Sequence, residues 1–362
     1  APPAGGGRGG GGGGTQRAHG GGRSPPRNLS PDAPADHPRH IRLGPGGSSL
    51  PTHHRLMTAD RIVLLDHLTR GRVNFGVGPG GHLTDALMLG LEPKDLRPMM
   101  AERLDLIMRL FTDTTPLSQT GNGYELHEAV LQLRPYQRPH PPVFVTSMES
   151  PAGMTLAGRH GVGVLSLTVA KGPAGPIDLA AHWAIAEESA ERHGTRVDRR
   201  NWRLSLPVFL AETRAEARDA ACEGAARYLL DYAEAVTGRP RPVPGPRERI
   251  IDQMIDNGSW VVGTPDDCIA ALDGLIERSG GFGGLLIWAN EWADRERTLR
   301  SYELLARHVM PRYQGSLEGI MASNAVARAR SEQAGRERTA AVEAARDTYR
   351  AELAGEADGP PA

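Results

Sequence analysis

What constrains this chain most is a unit that recurs along it: a short apolar strand, a loop of glycine or small polar residues, then a helix start. The clearest copy runs Leu64-Leu65-Asp66-His67-Leu68-Thr69-Arg70-Gly71-Arg72-Val73-Asn74-Phe75-Gly76-Val77-Gly78-Pro79-Gly80-Gly81. It reads as a helix end, a tight turn at Arg70-Gly71, a buried strand and a glycine-rich loop. Val73, Phe75 and Val77 share one face of that strand. Gly78, Gly80 and Gly81 remove Cβ atoms where the strand ends, so something can approach the backbone closely. In α/β proteins, ligands collect at the carboxyl ends of parallel strands.

The same rhythm continues downstream. Val143-Phe144-Val145-Thr146-Ser147 is a buried strand, and Ser150-Pro151 after it opens a helix through His160. Ser150 suits the N-cap and Pro151 the first helical position, where a missing N–H costs nothing. Free amides of that first turn, with the Ser150 hydroxyl, make an anion site that needs no lysine. An ordinary capped helix carries the same signature. Further strands are expected at 162–167, 204–211 and 283–289. Helices are expected at 177–193 and 214–236, and at Thr264-Pro265-Asp266-Asp267, which has the residues of an N-cap, N1 and N3. Strands alternating with helices argue for a parallel sheet, closed as a barrel.

Before the central unit, Ile41-Arg42-Leu43-Gly44 reads as a strand and Pro45 to Thr52 as a loop. His53 and His54 precede a helix. Adjacent side chains point apart and no acidic cluster has ligand spacing, so hydrogen bonding at a helix start is expected of them, and no metal. Met99, Met100, Leu104, Ile107, Met108 and Leu110 have helical spacing and suit core packing. Tyr124 to Leu126 and Leu131 to Leu133 are candidate hairpin strands.

The flanks differ in texture. Twelve of the first 22 residues are Gly, too little apolar area to offset the entropy of ordering, so residues 1–38 are expected to be a disordered leader. A Gly/Arg arm can contact RNA, but a net charge of −1 gives no general drive toward nucleic acid or an anionic membrane. Residues 316–362 are rich in Ala, Arg and Glu and suit a solvated helical or disordered tail. Two cysteines, Cys222 and Cys268, form no disulfide framework or CxxC pair and fit a reducing, cytoplasmic setting. No apolar run approaches the roughly 18 residues of a membrane span.

Several of these runs carry a resemblance. Leu65-Asp66-His67-Leu68-Thr69-Arg70-Gly71-Arg72 with Phe75-Gly76-Val77-Gly78 resembles the fourth-strand signature of the bacterial luciferase-like flavin monooxygenases. The runs Leu131-Gln132-Leu133-Arg134-Pro135-Tyr136-Gln137-Arg138-Pro139, Leu156-Ala157-Gly158-Arg159-His160-Gly161 and Ser279-Gly280-Gly281-Phe282-Gly283-Gly284, the last continuing to Glu291-Trp292-Ala293, resemble its limonene-monooxygenase-like branch. The likeness covers residues 39–315.

The resemblance implies a (β/α)8 TIM-type barrel domain over 39–315 that binds reduced FMN at its strand ends. It implies oxygen transfer from dioxygen to a small hydrophobic, terpene-like substrate, as in limonene epoxidation, with a separate reductase supplying the flavin. A homodimer is a compatible assembly, and the deazaflavin F420 is the alternative cofactor, in an oxidoreductase moving hydride. A non-catalytic barrel remnant is the third reading. Residue by residue, Gly78 and Gly80 would lie by the flavin ring, and Glu149 and Ser150 would match the family's Glu-Ser. Ser150 and the amides of Gly153 and Met154 would hold the phosphate. Two departures are expected. The strand at Ile41 would be the family's third, leaving the first two strands and their Glu-His-His motif without counterpart, the catalytic residues unassigned and activity impaired. Arg55 stands where the branch usually has Pro.

Overall fold

The central strands of the principal sheet are short, and most of their residues are buried. The computed structural model describes residues 40–121, 124–172, 175–316 and 318–357. The strands are β1 (Ser48–Ser49), β2 (Phe75–Gly78), β3 (Leu117–Gly121), β4 (Tyr124–Ala129), β5 (Val143–Ser147), β6 (Gly163–Ser166), β7 (Lys171–Gly172), β8 (Gly175–Pro176), β9 (Trp202–Leu206), β10 (Val208–Leu210), β11 (Val261–Gly263) and β12 (Gly284–Ile287). The helices are α1 (Arg55–Thr69), α2 (Leu83–Met88), α3 (Leu96–Thr112), α4 (Pro151–His160), α5 (Leu179–His193), α6 (Arg214–Ala226), α7 (Ile250–Asp256), α8 (Pro265–Ser279), α9 (Arg295–Leu304), α10 (Met310–Tyr313) and α11 (Glu318–Ala357).

The principal sheet runs β1-β2-β5-β6-β9-β12. Its pairings from β1 to β9 are all parallel. Phe75, Val77, Val145, Val164, Trp202 and Leu204 are fully buried, as expected for strands covered on both faces. Strand, helix and parallel strand alternate as in a (β/α) barrel. Among the described residues, β1 and β12 form the sheet's two edges. The expectation about two earlier strands and a disordered leader falls on residues 1–39, outside the described residues.

The chain divides into two units. One comprises the residues up to Leu167, Leu179–Leu204 and Phe282–Gly284; the other comprises Thr168–Asp178, Ser205–Gly281 and the residues from Leu285. In the first unit, Phe75 meets Phe111 edge-on, and Trp183 stacks on Trp202 with centroids 4.8 Å apart. In the second, Ala217, Ala221 and Ala225 of α6 pack with Ile250, Met254, Trp260 and Trp292. Gly224 abuts the Trp292 backbone, so the alanine-rich face of α6 permits close approach.

Four local expectations change. The strand placed at Ile41 to Gly44 is a single bridge, Leu43 with Val73, and the regular pairing lies later, at Ser48 and Ser49. Between these points the first strand carries five residue steps against four on β2, one residue extra. Gly44 crowds the Asn74 carbonyl and Gly76 donates to the Pro45 carbonyl at 3.1 Å, so the expected loop runs close beside β2 before β1 begins. The hairpin pairs β3 with β4 in place of Leu131 to Leu133. That segment instead buries Leu131, while Arg134 is tied to the Phe111 and Asp113 carbonyls. Pro207 interrupts the strand expected at 204–211, giving β9 and β10. Finally, the helix expected at 214–236 is α-helical only to Ala226 and continues as a π-helix over Arg227–Glu234.

The cap at the start of α8 falls where expected. Thr264 accepts from the Asp267 amide and Asp267 accepts from the Thr264 amide, with Pro265 at N1, forming a reciprocal cap. His54 stands at the N-cap of α1, while His53 Nδ1 lies 2.9 Å from Thr52 Oγ1 and 3.0 Å from the Ser49 carbonyl. No group of metal-ligating side chains occurs among the described residues. Arg55 is buried, its guanidinium 3.3 Å from the Tyr124 ring centroid, and burial pulls its pKa down to about 10. Arg103 beside it donates to the Leu50 carbonyl at 2.7 Å. The helix α11 is exposed wherever its side chains are described.

Candidate active site

The row at the strand ends is built by register. Ser49 lies opposite Gly78, Thr146 opposite Leu165, and Leu165 opposite Arg203. Paired residues of parallel strands face the same way, and the gap between the first and second pairs is closed by contact. A Cβ on Gly78 would stand 2.5 Å from Thr146 Oγ1. The neighbouring Thr146 side chain is by itself a reason for glycine here, beside the bound ring that the sequence points to. Gly80 has φ +102°, a region that favours glycine, and its missing Cβ faces Ser49 Oγ at 3.4 Å. Arg203 brings a cation to the row. Its guanidinium carbon lies 5.4 Å from the Phe144 ring centroid and its Nη1 donates to the Arg200 carbonyl at 2.5 Å. Burial lowers its pKa.

The anion-binding features lie at the start of α4. Ser150 is the N-cap and Pro151 is at N1, as the sequence indicates, but the Ser150 hydroxyl makes no capping bond. Gly153 sits against the end of β5: a Cβ there would meet the Thr146 carbonyl at 2.7 Å and Ser147 Cβ at 2.9 Å. Absence of that Cβ lets the first turn press directly on the strand. Met154 is fully buried and Glu149 is half-exposed. Ser147 Oγ is buried and lacks a hydrogen-bond partner, as does Ser48 Oγ. The first turn carries no acidic residue, and the last turn carries Arg159 and His160, which Asp105 holds at 2.8 and 2.7 Å.

A cofactor phosphate fits these residues. Helix amides end at an unused hydroxyl, an orphaned buried serine lies beside them, and no carboxylate of the helix's first turn opposes an anion. The structure thus brings Glu149, Ser150, Gly153 and Met154 to one corner. Gly78 and Gly80 lie one strand along, at the end of β2, joined to it through Thr146. Sequence reasoning passed over Thr146, although strand alternation separates it from Val145 and Ser147. It also passed over Arg203 and over His182, whose ring reaches the Ser150 carbonyl. No sequence signal marks His182.

A separate cavity of about 460 Å³ lies within the second unit, lined by Leu206, Arg214, Arg218, Trp260 and Leu275 among others. It includes none of the site residues. No helix among the described residues is long and apolar enough to cross a membrane.

A parallel sheet alternating with helices in the (β/α)-barrel manner is a fold this chain shares with a class of flavin- and deazaflavin-dependent oxidoreductases. Within that class the chain belongs to the luciferase-like monooxygenase family, whose model matches residues 21–281. It is similar to 4-hydroxyprotoasukamycin monooxygenase of Streptomyces nodosus subsp. asukaensis, at 45% identity over 80% of this chain and 78% of that protein. Limonene 1,2-monooxygenase of Rhodococcus erythropolis is 42% identical over 79% and 72%. Among solved structures, the oxygenating constituent of 3,6-diketocamphane monooxygenase from Pseudomonas putida, in complex with FMN, matches with TM-score 0.60 and 25% identity over 75% of this chain and 79% of that one. A coenzyme F420-dependent tetrahydromethanopterin reductase from Methanopyrus kandleri shares the fold, with TM-score 0.58 and 19% identity over 75% and 83%.

Proposed function

We propose that this chain is the oxygenating component of a two-component FMN monooxygenase acting on a small, largely apolar, terpene-like molecule. The observation that carries the reading is the start of α4, where Ser150, Gly153 and the buried Ser147 converge. Similarity to limonene 1,2-monooxygenase supports the substrate class. Ser150 Oγ and the amides of Gly153 and Met154 hold the phosphate, and the helix dipole favours its negative charge. Gly78, Gly80 and the Thr146 side chain would border the ring, and Arg203 would bring a cation to that row. Bound reduced FMN supplies the electrons that activate dioxygen for transfer of one oxygen atom to the substrate. The protein's own share is orientation and exclusion of water by Phe144, Thr146 and Leu165. A separate reductase delivers the reduced flavin. The catalytic unit spans 39–315, between a leader and a helical tail.

A phosphate-binding helix start also suits F420, and a neighbour of the same fold uses it. Titrating the full chain with FMN, riboflavin and F420 decides between them. Supplying reduced FMN, dioxygen and limonene, and measuring oxygenated product against hydrogen peroxide, tests the activity. Saturation by F420 with no response to FMN overturns the flavin reading. Hydrogen peroxide alone, across limonene and other apolar alkenes, overturns the oxygenase reading.

A further inference from the structure

The first turn of α4 does not hold its own position. Its neighbour α5 lies along it with His182, Ala186, Ser189 and Ala190 buried, one face of a helix at i, i+4, i+7 and i+8. Gly158 of α4 lets the helices touch backbone to side chain: a Cβ there would stand 2.6 Å from Ser189 Cβ. Ser189 Oγ donates to the Thr155 carbonyl at 2.7 Å, and Thr195 Oγ1 donates to the Gly158 carbonyl. At the opposite end, His182 Nε2 lies 3.4 Å from the Ser150 carbonyl. Three carbonyls along one side of α4, at its start, middle and end, are thus met from α5 or just beyond it.

The contact at the start is unlike the other two. A carbonyl only accepts, so His182 Nε2 carries the proton, and its Nδ1 is buried with no partner. His182 is only 7% exposed. Leaving a buried acceptor unmade is a standing cost, and burial lowers the pKa of this imidazole.

We infer that His182 is a positioning residue for the cofactor phosphate: its ring fixes the Ser150 corner so that the hydroxyl and the first-turn amides converge on one anion. The inference rests on the phosphate reading given above for Ser150. His182 itself touches neither phosphate nor ring in this assignment. It acts through the backbone of residue 150.

The test compares FMN with riboflavin, which lacks the phosphate, by fluorescence titration of the full chain. His182→Phe keeps a ring of similar size and removes the donor. It should weaken FMN by about tenfold, the scale of one hydrogen bond, and leave riboflavin within about twofold. His182→Gln, whose amide can donate to the same carbonyl, should restore most of the FMN affinity. If His182→Phe does not fold, His182→Leu carries the same expectation. An unchanged FMN-to-riboflavin ratio in a folded variant overturns the inference, as does an equal loss of both ligands or failure of the Gln variant to rescue. A parent chain that binds FMN and riboflavin equally overturns the phosphate reading itself, and the inference with it.

Discussion

Gly78 offers a direct way to separate packing from cofactor contact. A Cβ at this position would lie 2.5 Å from Thr146 Oγ1 and 3.6 Å from both Thr146 Cβ and Cγ2. Real side chains do not tolerate the first distance, so Gly78→Ala must turn or displace Thr146. Thr146 does not turn freely, because β-branching restricts χ1. Overpacking of this kind costs about 1–3 kcal/mol. For a unit of this size that corresponds to a fall in melting temperature of roughly 2–10 °C. The compensating change is Thr146→Ala, which removes both offending atoms. The double variant should recover about 1–2 kcal/mol relative to the sum of the singles. Thermal melts of the parent, both singles and the double, without cofactor, give the coupling directly. If Gly78→Ala melts with the parent and loses only flavin affinity, the glycine serves the ligand and the packing argument fails. Additive singles would refute it equally.

Other expectations are smaller in scope. Ser150→Ala should weaken FMN by roughly 5- to 30-fold, equivalent to about 1–2 kcal/mol for a hydrogen bond to a charged group, and leave riboflavin unchanged; titration of both ligands reads this. Asp267 is held down to about 2, first by its hydrogen bond from Arg214 and then by those from Thr264. Its contribution is therefore complete above the ordinary value of 3.8 and is lost as pH falls from there toward 2. Asp267→Asn should cost roughly 1 kcal/mol at neutral pH and flatten stability against pH within that window, as followed by urea unfolding. Burial pushes the Cys268 thiol up to about 12, while Cys222 is only half-buried. A thiol reagent should thus modify Cys222 in the native chain and Cys268 only on unfolding, which mass spectrometry of the labelled peptides resolves.

What could be read from the residues alone depended on local chemistry. Ser150-Pro151 and Thr264-Pro265-Asp267 mark helix starts because caps use side chains within one turn, and both fall where expected. Phe75, Val77 and Val145 mark buried strands because period and apolarity coincide there. Ser48 and Ser49 lack that signal. They become a strand only because β2 offers its edge, a nonlocal fact. Leu117–Gly121 has one apolar residue in five and was missed for the same reason. The π-helical stretch after Ala226 has no helix breaker to announce it. At the site, glycines were visible but their partners were not: Gly78 answers to Thr146, and Gly153 to Ser147, through spatial neighbours some 70 and 6 positions distant. His182 was invisible because a histidine in an ordinary helix says nothing of the carbonyl it will meet.

The additional residue between Leu43 and Ser48 works as a phase shifter. Side chains on a strand alternate with period two, so one extra position exchanges inward and outward for everything that follows. Here the exchange falls just before two consecutive serines, which are nearly interchangeable under it, and just before Leu50, which is not: Leu50 is 1% exposed. Removing any one residue from Gly44 to Gly47 would restore simple alternation. It would leave Ser48 opposite Val77 and Ser49 opposite Gly78, four steps now matching four, and so keep the Leu50 carbonyl within reach of Arg103. This glycine-rich segment, which looks on paper like the most forgiving linker in the chain, should therefore tolerate loss of its extra residue better than a side chain at Gly44, whose Cβ would collide with the Asn74 carbonyl.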